Sequence, residues 1–188
     1  MPPKVKVSKE EIINTAISLI RKSGASAVNA RSIAAELGCS TQPIFSNFAS
    51  MEELDNEVVR SAYALYLGFL EREAERGEYP QYKSFGMAYI RFAEEERELF
   101  KLLFMCDRAG AEIAPTLDFE KSVEIIMNTN GLSREQAQLL HMEMWSCVHG
   151  IGTMLATSFL TLKRELISKM LSDVYIGLRD IHVKEQVE

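Results

Sequence analysis

Apolar residues recur along this 188-residue chain at spacings of three and four, which is the pattern of amphipathic α-helices. The chain contains no alternating pattern of useful strand length, no internal repeat and no low-complexity segment. The pattern therefore predicts an all-α protein. Its helices are expected at about 8–23, 31–37, 43–48, 50–76, 85–95, 97–105, 117–129, 133–158 and 162–183.

The segment 31–48, which reads RSIAAELGCSTQPIFSNF, begins with a short helix and a turn. Ile33, Ala34 and Leu37 fall on one side of this helix and form its apolar stripe. Gly38 follows, at the position where many helices end through a left-handed residue that glycine adopts without strain. The pattern therefore predicts that the chain turns at Gly38.

A second short helix is expected directly after that turn. Ser40 or Thr41 can cap it, and Pro43 suits its first turn, where no backbone N–H is needed. Its apolar positions are Ile44, Phe45 and Phe48, and its outward positions are Thr41, Gln42, Pro43, Ser46 and Asn47. Two short helices joined by a turn with glycine are typical of a helix-turn-helix, whose second helix enters the major groove of DNA.

A longer set of residues around this motif carries a family likeness: Ala34, Gly38, Ile44, Phe45, Phe48, Ser50, Glu52, Glu53 and Leu54. In these positions the chain closely resembles the N-terminal domain of TetR-type transcriptional regulators. The resemblance implies a three-helix DNA-binding domain at residues 1–49, followed by a larger helical ligand-binding and dimerisation domain at residues 50–188. It also implies a basic N-terminal arm, which Lys4, Lys6 and Lys9 fit.

The second helix of the motif offers groups that suit DNA. Gln42 can contact an adenine bidentately and Pro43 can pack against a thymine methyl group, while Arg31 can reach a guanine or a phosphate. Each of these residues can instead be a solvated surface residue. The candidate DNA-contacting residues are Arg31, Ser40, Thr41, Gln42, Pro43, Phe45, Ser46 and Asn47, with Lys4 and Lys6 of the arm.

Two positions depart from the family pattern. Phe45 stands where TetR-type chains usually have tyrosine, and Met51 stands where they usually have lysine. Both family residues contact backbone phosphate, so the resemblance implies that this chain lacks those two contacts. An adaptor that binds another protein, with weakened DNA binding, is therefore kept as the alternative function.

Charge is divided unevenly along the chain. Residues 1–50 hold six basic and three acidic side chains, a net charge of +3, whereas the whole chain carries −6, which leaves −9 for the remainder. This asymmetry directs the N-terminal end toward phosphates. A single domain of charge +3 binds DNA weakly, so a dimer is expected.

The segment from Trp145 to Gly150, WSCVHG, is similar to the WxxxHG signature of one TetR C-terminal domain type. Trp145 and His149 share a helical face with Met142. This face predicts an apolar cavity in which His149 supplies one polar contact for an effector. The alternative is a core histidine beneath a core tryptophan. The candidate ligand-binding residues are Trp145, His149, Met142, Phe104, Phe92 and Tyr89.

The last helix has an apolar surface wider than one packed face needs. One row contains Leu162, Leu166, Met170, Val174 and Leu178, and a neighbouring row contains Ile167, Leu171 and Tyr175. Both rows can belong to the core of a single chain. The family resemblance instead implies that the last two helices pair with a second copy, and the predicted dimer interface adds Ile151 and Leu155 to the first row.

Other function classes receive less support from the sequence. No HExxH, GxSxG or P-loop pattern occurs, no metal-ligand spacing joins Cys39, Cys106 and Cys147, and no cofactor is expected. No apolar run is long enough to cross a membrane, and no signal peptide is evident, so a cytoplasmic protein is expected. The sequence predicts a TetR-like homodimeric repressor, not an enzyme, which a small apolar effector releases from a palindromic operator in double-stranded DNA.

Overall fold

The computed structural model describes residues 7–106 and 116–185, and this part of the chain is all-helical, as predicted. It contains a short 3-10 helix at Ala25–Ala27 and nine α-helices. These are α1 (Lys9–Ser23), α2 (Ala30–Glu36), α3 (Gln42–Asn47), α4 (Met51–Arg76), α5 (Gln81–Glu95), α6 (Arg97–Phe104), α7 (Thr116–Asn130), α8 (Arg134–Ala156) and α9 (Arg164–Glu185).

Several helices begin where local capping chemistry predicts. Before α1, the Glu11 amide donates to Ser8 Oγ at 3.2 Å, and the Ser8 amide donates to the Glu11 carboxylate at 2.8 Å. Ser133 and Gln136 form the same reciprocal pair before α8. Each pair satisfies N–H groups that lack partners within the helix, which fixes the first turn.

Helix α5 begins four residues earlier than the predicted start at residue 85. Its first turn follows Pro80, whose carbonyl accepts from the Ser84 amide at 2.9 Å. Gln81, Lys83 and Ser84 are polar, so the first turn lacks the apolar spacing from which the start was predicted, although Ser84 is buried. A proline directly before a helix is the better signal for this boundary.

The chain forms two packing units. Of the described residues, the first comprises 7–67 and 96–106, and the second comprises 68–95 and 116–185. In the first unit α1 packs against α2, α3 and α6 and buries Ile12, Ile33 and Ile44. In the second unit α8 packs against α5, α7 and α9 and buries Leu140 and Val148. The functional boundary expected after residue 49 stays a prediction.

Within the described part of the chain, no helix combines the length and the apolar character that a membrane span requires.

Candidate nucleic-acid interface and ligand sites

Helix α2 is fixed at its start by Asn29, which the sequence analysis did not single out. The Asn29 side-chain oxygen accepts from the amides of Arg31 and Ser32, each at 3.0 Å, and the Asn29 amide donates to Ser32 Oγ at 3.0 Å. The signal was available, because asparagine is a preferred cap and Ser32 lies three residues later. This cap fixes the first turn of α2 and therefore the position from which the Arg31 side chain extends.

The turn after α2 has the conformation that the sequence predicts. Gly38 has φ +63°, and the Cys39 amide donates to the carbonyl of Ala34 at 2.9 Å. A residue with a side chain would be strained at this φ. Gly38 therefore determines how the chain passes from α2 to α3.

Helix α3 begins without the side-chain cap that was predicted. Thr41 has helical backbone angles, φ −71° and ψ −12°, and its side chain makes no capping hydrogen bond. A capping side chain requires an extended backbone to reach the amides of the first turn, so that prediction is wrong. Pro43, which needs no donor, occupies the first turn as expected.

The two faces of α3 differ sharply in burial. Ile44 and Phe48 are buried, whereas Gln42 and Ser46 are exposed. Phe45 is 53% exposed, so its predicted place in the buried stripe is wrong. It lies about 100° around the helix from Ile44, on the side that carries Gln42 and Ser46.

Two predicted DNA-contacting side chains bond within the first unit. The Asn47 amide nitrogen donates to the carbonyls of Val7 at 3.1 Å and Pro43 at 2.8 Å. Ser46 Oγ donates to the Gln42 carbonyl at 2.9 Å. Asn47 therefore holds the end of α3 to the segment before α1, and Ser46 keeps its oxygen as an acceptor.

Most of the basic side chains described near this surface are already paired. Lys9 lies 3.5 Å from Glu53, Lys22 lies 2.7 Å from Glu36, and Arg21 makes a two-point contact with Glu96. Arg31 is exposed and forms no ion pair with the residues that the structure describes. Ser40 is exposed and Thr41 half-buried, while Lys4 and Lys6 lie outside the described residues.

Trp145 and Met142 lie on the outer surface of α8. They are 40% and 47% exposed, because the buried face of this helix is formed by Leu140, Met144 and Val148. Met142 is two positions, or about 200°, from both Leu140 and Met144. The prediction that Met142 and Trp145 line an enclosed cavity is therefore wrong.

His149 joins Trp145 to the helix beneath it. The two rings stack with centroids 4.9 Å apart and planes at 10°. Tyr89 of α5 shares a hydrogen bond of 2.8 Å between its hydroxyl and His149 Nδ1. Burial lowers the pKa of His149, which favours the neutral ring.

The remaining predicted ligand residues belong to different packing units. Phe92 is buried in the second unit, where its ring packs edge-on against Phe69 at 5.2 Å. Phe104 belongs to the first unit and packs against Tyr66 at 5.2 Å. Phe92 therefore belongs to the core, the outcome that helical stripes most often have, whereas Phe104 is half-buried.

A cleft of about 210 Å³ lies elsewhere in the second unit, between α5 and the start of α9. Its apolar wall contains Met87, Ile90, Leu162 and Ile167, and its polar wall contains Arg91, Glu94 and Arg164. The sequence analysis missed it, because no local pattern indicates that residues 87–94 and 162–167 meet. Leu162 therefore borders this cleft and not only the predicted dimer surface.

Arg91 in this wall belongs to a buried ion pair. Its Nε lies 3.3 Å from the Glu73 carboxylate, and Arg76 Nη1 lies 3.4 Å from the same oxygen. Burial raises the pKa of Glu73, an effect that Arg76 opposes. Arg91 Nη2 and Glu73 Oε1 are buried without a hydrogen-bond partner among the described residues.

The two apolar rows of α9 have different surroundings. Ile167 and Leu171 are buried, whereas Leu166 is exposed and Met170, Val174 and Leu178 are half-buried. Ile151 and Leu155 of α8 are buried within the chain, so their inclusion in a partner surface is wrong. Exposed residues that the sequence analysis missed extend the apolar surfaces of these two helices: Leu139, Ile176 and Ile181.

The whole fold has a counterpart among solved structures. It is similar to a protein of unknown function from Rhodococcus sp. RHA1, with a TM-score of 0.68 and 19% sequence identity over 98% of this chain and 97% of that one. No protein-family profile and no curated protein matches the chain. The likeness extends over both units and concerns the fold alone.

Three surfaces thus have distinct chemical capabilities. The outward face of α3 offers an amide, a hydroxyl and an aromatic ring, and Arg31 at the start of α2 is exposed. The cleft beside Arg91 combines guanidinium groups with an apolar wall. The outer sides of α8 and α9 are apolar.

Proposed function

We propose that this chain is a TetR-like DNA-binding transcriptional regulator that acts as a homodimer. The observation that carries the proposal is the α2–Gly38–α3 segment, in which Ile44 and Phe48 anchor α3 while Gln42, Phe45 and Ser46 face outward. Short polar side chains on an anchored helix after a tight turn are what a major-groove reading helix requires.

Each outward residue of α3 has a role in this proposal. Gln42 donates to and accepts from an adenine edge, Ser46 accepts from a donor on a base edge, and Phe45 packs against a thymine methyl group or a deoxyribose. Arg31 supplies a phosphate or guanine contact from the start of α2. The amide nitrogen of Asn47 is used within the fold, so Asn47 contributes through its oxygen.

Charge supports dimeric binding in particular. Because Lys9 and Arg21 pair with Glu53 and Glu96, which lie outside residues 1–50, the charge of +3 on that segment is offset within the first unit. Residues 1–67 and 96–106, the full sequence of that unit, hold nine basic and nine acidic side chains, so their formal net charge is 0. Non-specific affinity for DNA depends on the number of phosphates that cations neutralise. Two copies on a two-fold symmetric site double that number and place two reading helices in successive major grooves, about 34–36 Å apart.

The exposed apolar sides of α8 and α9 are the proposed dimer surface. Leu139 and Met142 contribute from α8, and Leu166 contributes from α9 with Met170, Val174 and Leu178. A Cβ added at Gly150 or Gly177 meets nothing within 4 Å, so these two helices also have bare backbone at which a second copy can approach closely. Exposed large apolar residues of this kind are typical of subunit interfaces.

The proposed mechanism is repression that a small effector relieves. Helix α4 runs from Met51 to Arg76 without interruption, so it belongs to the first unit at its start and to the second at its end. An effector that binds the second unit and favours one position of α4 changes the separation of the two reading helices. A coupling free energy of about 1–3 kcal/mol makes a useful switch.

The experiment that tests the proposal is selection of sites from random double-stranded DNA by the full-length chain at low salt. A two-fold symmetric sequence is expected to be enriched. On that site Gln42→Ala should cost about 1–3 kcal/mol at one base pair of each half-site. Gln81→Ala, which replaces an exposed glutamine of the second unit, is the matched control. Absence of any enriched sequence from an intact dimer contradicts the proposal.

A protein-binding adaptor is the second candidate function. It is favoured by the exposed ring of Phe45 and by the pairing of Lys9, Arg21 and Lys22, which both reduce what the surface offers to DNA. Under this alternative, Phe45→Ala changes partner binding, and no DNA sequence is enriched.

A further inference from the structure

The cleft between α5 and the start of α9 has a buried arginine in its wall. The Arg91 side chain is nine-tenths buried, and its Nε faces the Glu73 carboxylate at 3.3 Å. Its Nη2 is buried with no hydrogen-bond partner among the described residues. Buried N–H groups of native proteins almost always have acceptors. Because Nη2 has almost no accessible surface, Arg91 meets a further acceptor through the part of its side chain that lines the cleft.

The surroundings of the cleft favour an anionic acceptor. Arg164 adds a second guanidinium, and as the first residue of the 22-residue helix α9 it stands at the positive end of the helix dipole. Guanidinium groups bind carboxylates through short, charge-assisted hydrogen bonds. The exposed Glu94 in the same wall disfavours a second negative charge, so a single carboxylate fits better than a phosphate.

The rest of the wall sets the character and size of the ligand. Met87, Ile90, Leu162 and Ile167 present only apolar side-chain surface. The volume of about 210 Å³ corresponds to about seven waters of about 30 Å³ each, and a methylene group occupies a similar volume. The cleft thus holds about six to eight non-hydrogen atoms, fewer than a drug-sized molecule has.

We propose that this cleft binds a short-chain aliphatic monocarboxylate, whose carboxylate accepts hydrogen bonds from Arg91 and Arg164 while its chain packs against Ile90, Leu162 and Ile167. Binding itself is independent of DNA. The assignment of this ligand class as the effector rests on the proposed function.

Hexanoate is the probe, and hexanamide is its neutral control of equal size. Titration of the full-length chain, followed by calorimetry and ligand-observed NMR, should show hexanoate binding at least about tenfold more tightly than hexanamide, because only the carboxylate forms charge-assisted hydrogen bonds. Affinity should rise from butanoate to hexanoate and not further to decanoate, which exceeds the cleft. Equal binding of hexanoate and hexanamide, or no binding at millimolar concentrations, overturns the proposal.

Variants locate the site. Arg164→Gln should weaken hexanoate about tenfold or more, and Leu162→Trp should block the cleft, whereas Arg179→Gln on the same helix should change nothing. Arg91 is tested in the double variant Glu73→Gln/Arg91→Met, because removal of Arg91 alone leaves a buried, uncompensated carboxylate. Hexanoate affinity unchanged in Arg164→Gln and Leu162→Trp overturns the proposal.

These measurements separate the two proposals. Hexanoate binding without any enriched DNA sequence supports the proposed carboxylate cleft and contradicts the proposed DNA-binding function. An operator that is bound normally by a chain with no affinity for hexanoate rejects the site and retains the regulator.

Discussion

Helices α3 and α8 each expose an aromatic residue to solvent, but the exposed residues around it are polar on α3 and mainly apolar on α8. Phe45 on α3 is 53% exposed, and its outward neighbours are the polar residues Gln42 and Ser46. Trp145 on α8 is 40% exposed, stacks on His149, and follows the exposed apolar residues Leu139 and Met142. In the proposed function, the polar face of α3 binds reversibly in a groove of DNA. The apolar face of α8 is instead suited to permanent burial against a second protein chain.

The two helices also differ in what holds them. Helix α3 has only six residues and depends on Ile44, Phe48, the turn at Gly38 and the amide of Asn47. Helix α8 has 23 residues and a reciprocal cap, and it packs against α5, α7 and α9. Single substitutions should therefore affect the support of α3 more than the outer face of α8.

The largest effect is expected for Ile44→Ala. Ile44 is fully buried in the first unit, so its truncation should lower the free energy of unfolding by about 2–5 kcal/mol. Phe45→Ala, one residue later on the exposed face, is the control and should change it by less than about 0.5 kcal/mol. Urea denaturation measures both, and similar losses for the two variants would contradict the faces assigned to α3.

Gly38→Ala should cost about 1–2 kcal/mol of stability, because the left-handed backbone at φ +63° strains any residue with a Cβ. Gly150→Ala is the matched control, since that glycine lies within α8 and an added Cβ there meets nothing within 4 Å. Alanine should leave stability unchanged or raise it at Gly150. Thermal denaturation at protein concentrations low enough to favour the single chain checks both, because Gly150 also belongs to the proposed dimer surface. Equal losses would contradict the distinction.

His141 gives the second unit a dependence on pH. Burial lowers the pKa of His141 to about 4 from 6.5, and its Nδ1 lies 3.0 Å from the Tyr82 hydroxyl. Because the unfolded chain binds the proton more readily, the stability contributed by neutral His141 is complete above about pH 6.5 and is lost as pH falls toward 4.

After allowance for its partial exposure, this loss should be about 1 kcal/mol. The measurement is the difference in unfolding free energy between the wild type and His141→Gln at pH 7 and pH 4.5. A difference that stays constant across this interval would show that His141 does not titrate as described.

The smallest effect is expected for Trp145→Ala, with a loss below about 1 kcal/mol, because the side chain is 40% exposed and its main partner is the ring of His149. Chemical denaturation at protein concentrations low enough to favour the single chain is the measurement. A loss of about 3–5 kcal/mol, the value for a core tryptophan, would move Trp145 into the interior.

Sequence reasoning succeeds here where a residue acts on its own backbone. Ser8 with Glu11, Ser133 with Gln136, and Gly38 work through bonds or angles within four residues, so their neighbours in the sequence suffice. The same reasoning is wrong for the predicted cap at Thr41, because the backbone there is already helical.

It fails where the partner is distant along the chain. Arg91 meets Glu73, and the cleft joins residues of α5 to the start of α9, without any local sign of these contacts. Ile151 and Leu155 show the same limit, because an apolar row indicates burial without indicating whether the same chain or a partner provides it. The WxxxHG segment likewise indicates which of its residues share a face of α8, but it does not indicate which other residues pack against that face.

Amide hydrogen exchange with and without double-stranded DNA at low salt tests the central claim most directly, because it reports α3 and α8 in one experiment. The account predicts that DNA slows exchange in residues 41–47 and leaves residues 139–149 of the preformed dimer unchanged. Unchanged exchange in residues 41–47 at saturating DNA, or protection confined to residues 139–149, would contradict the claim that α3 reads DNA.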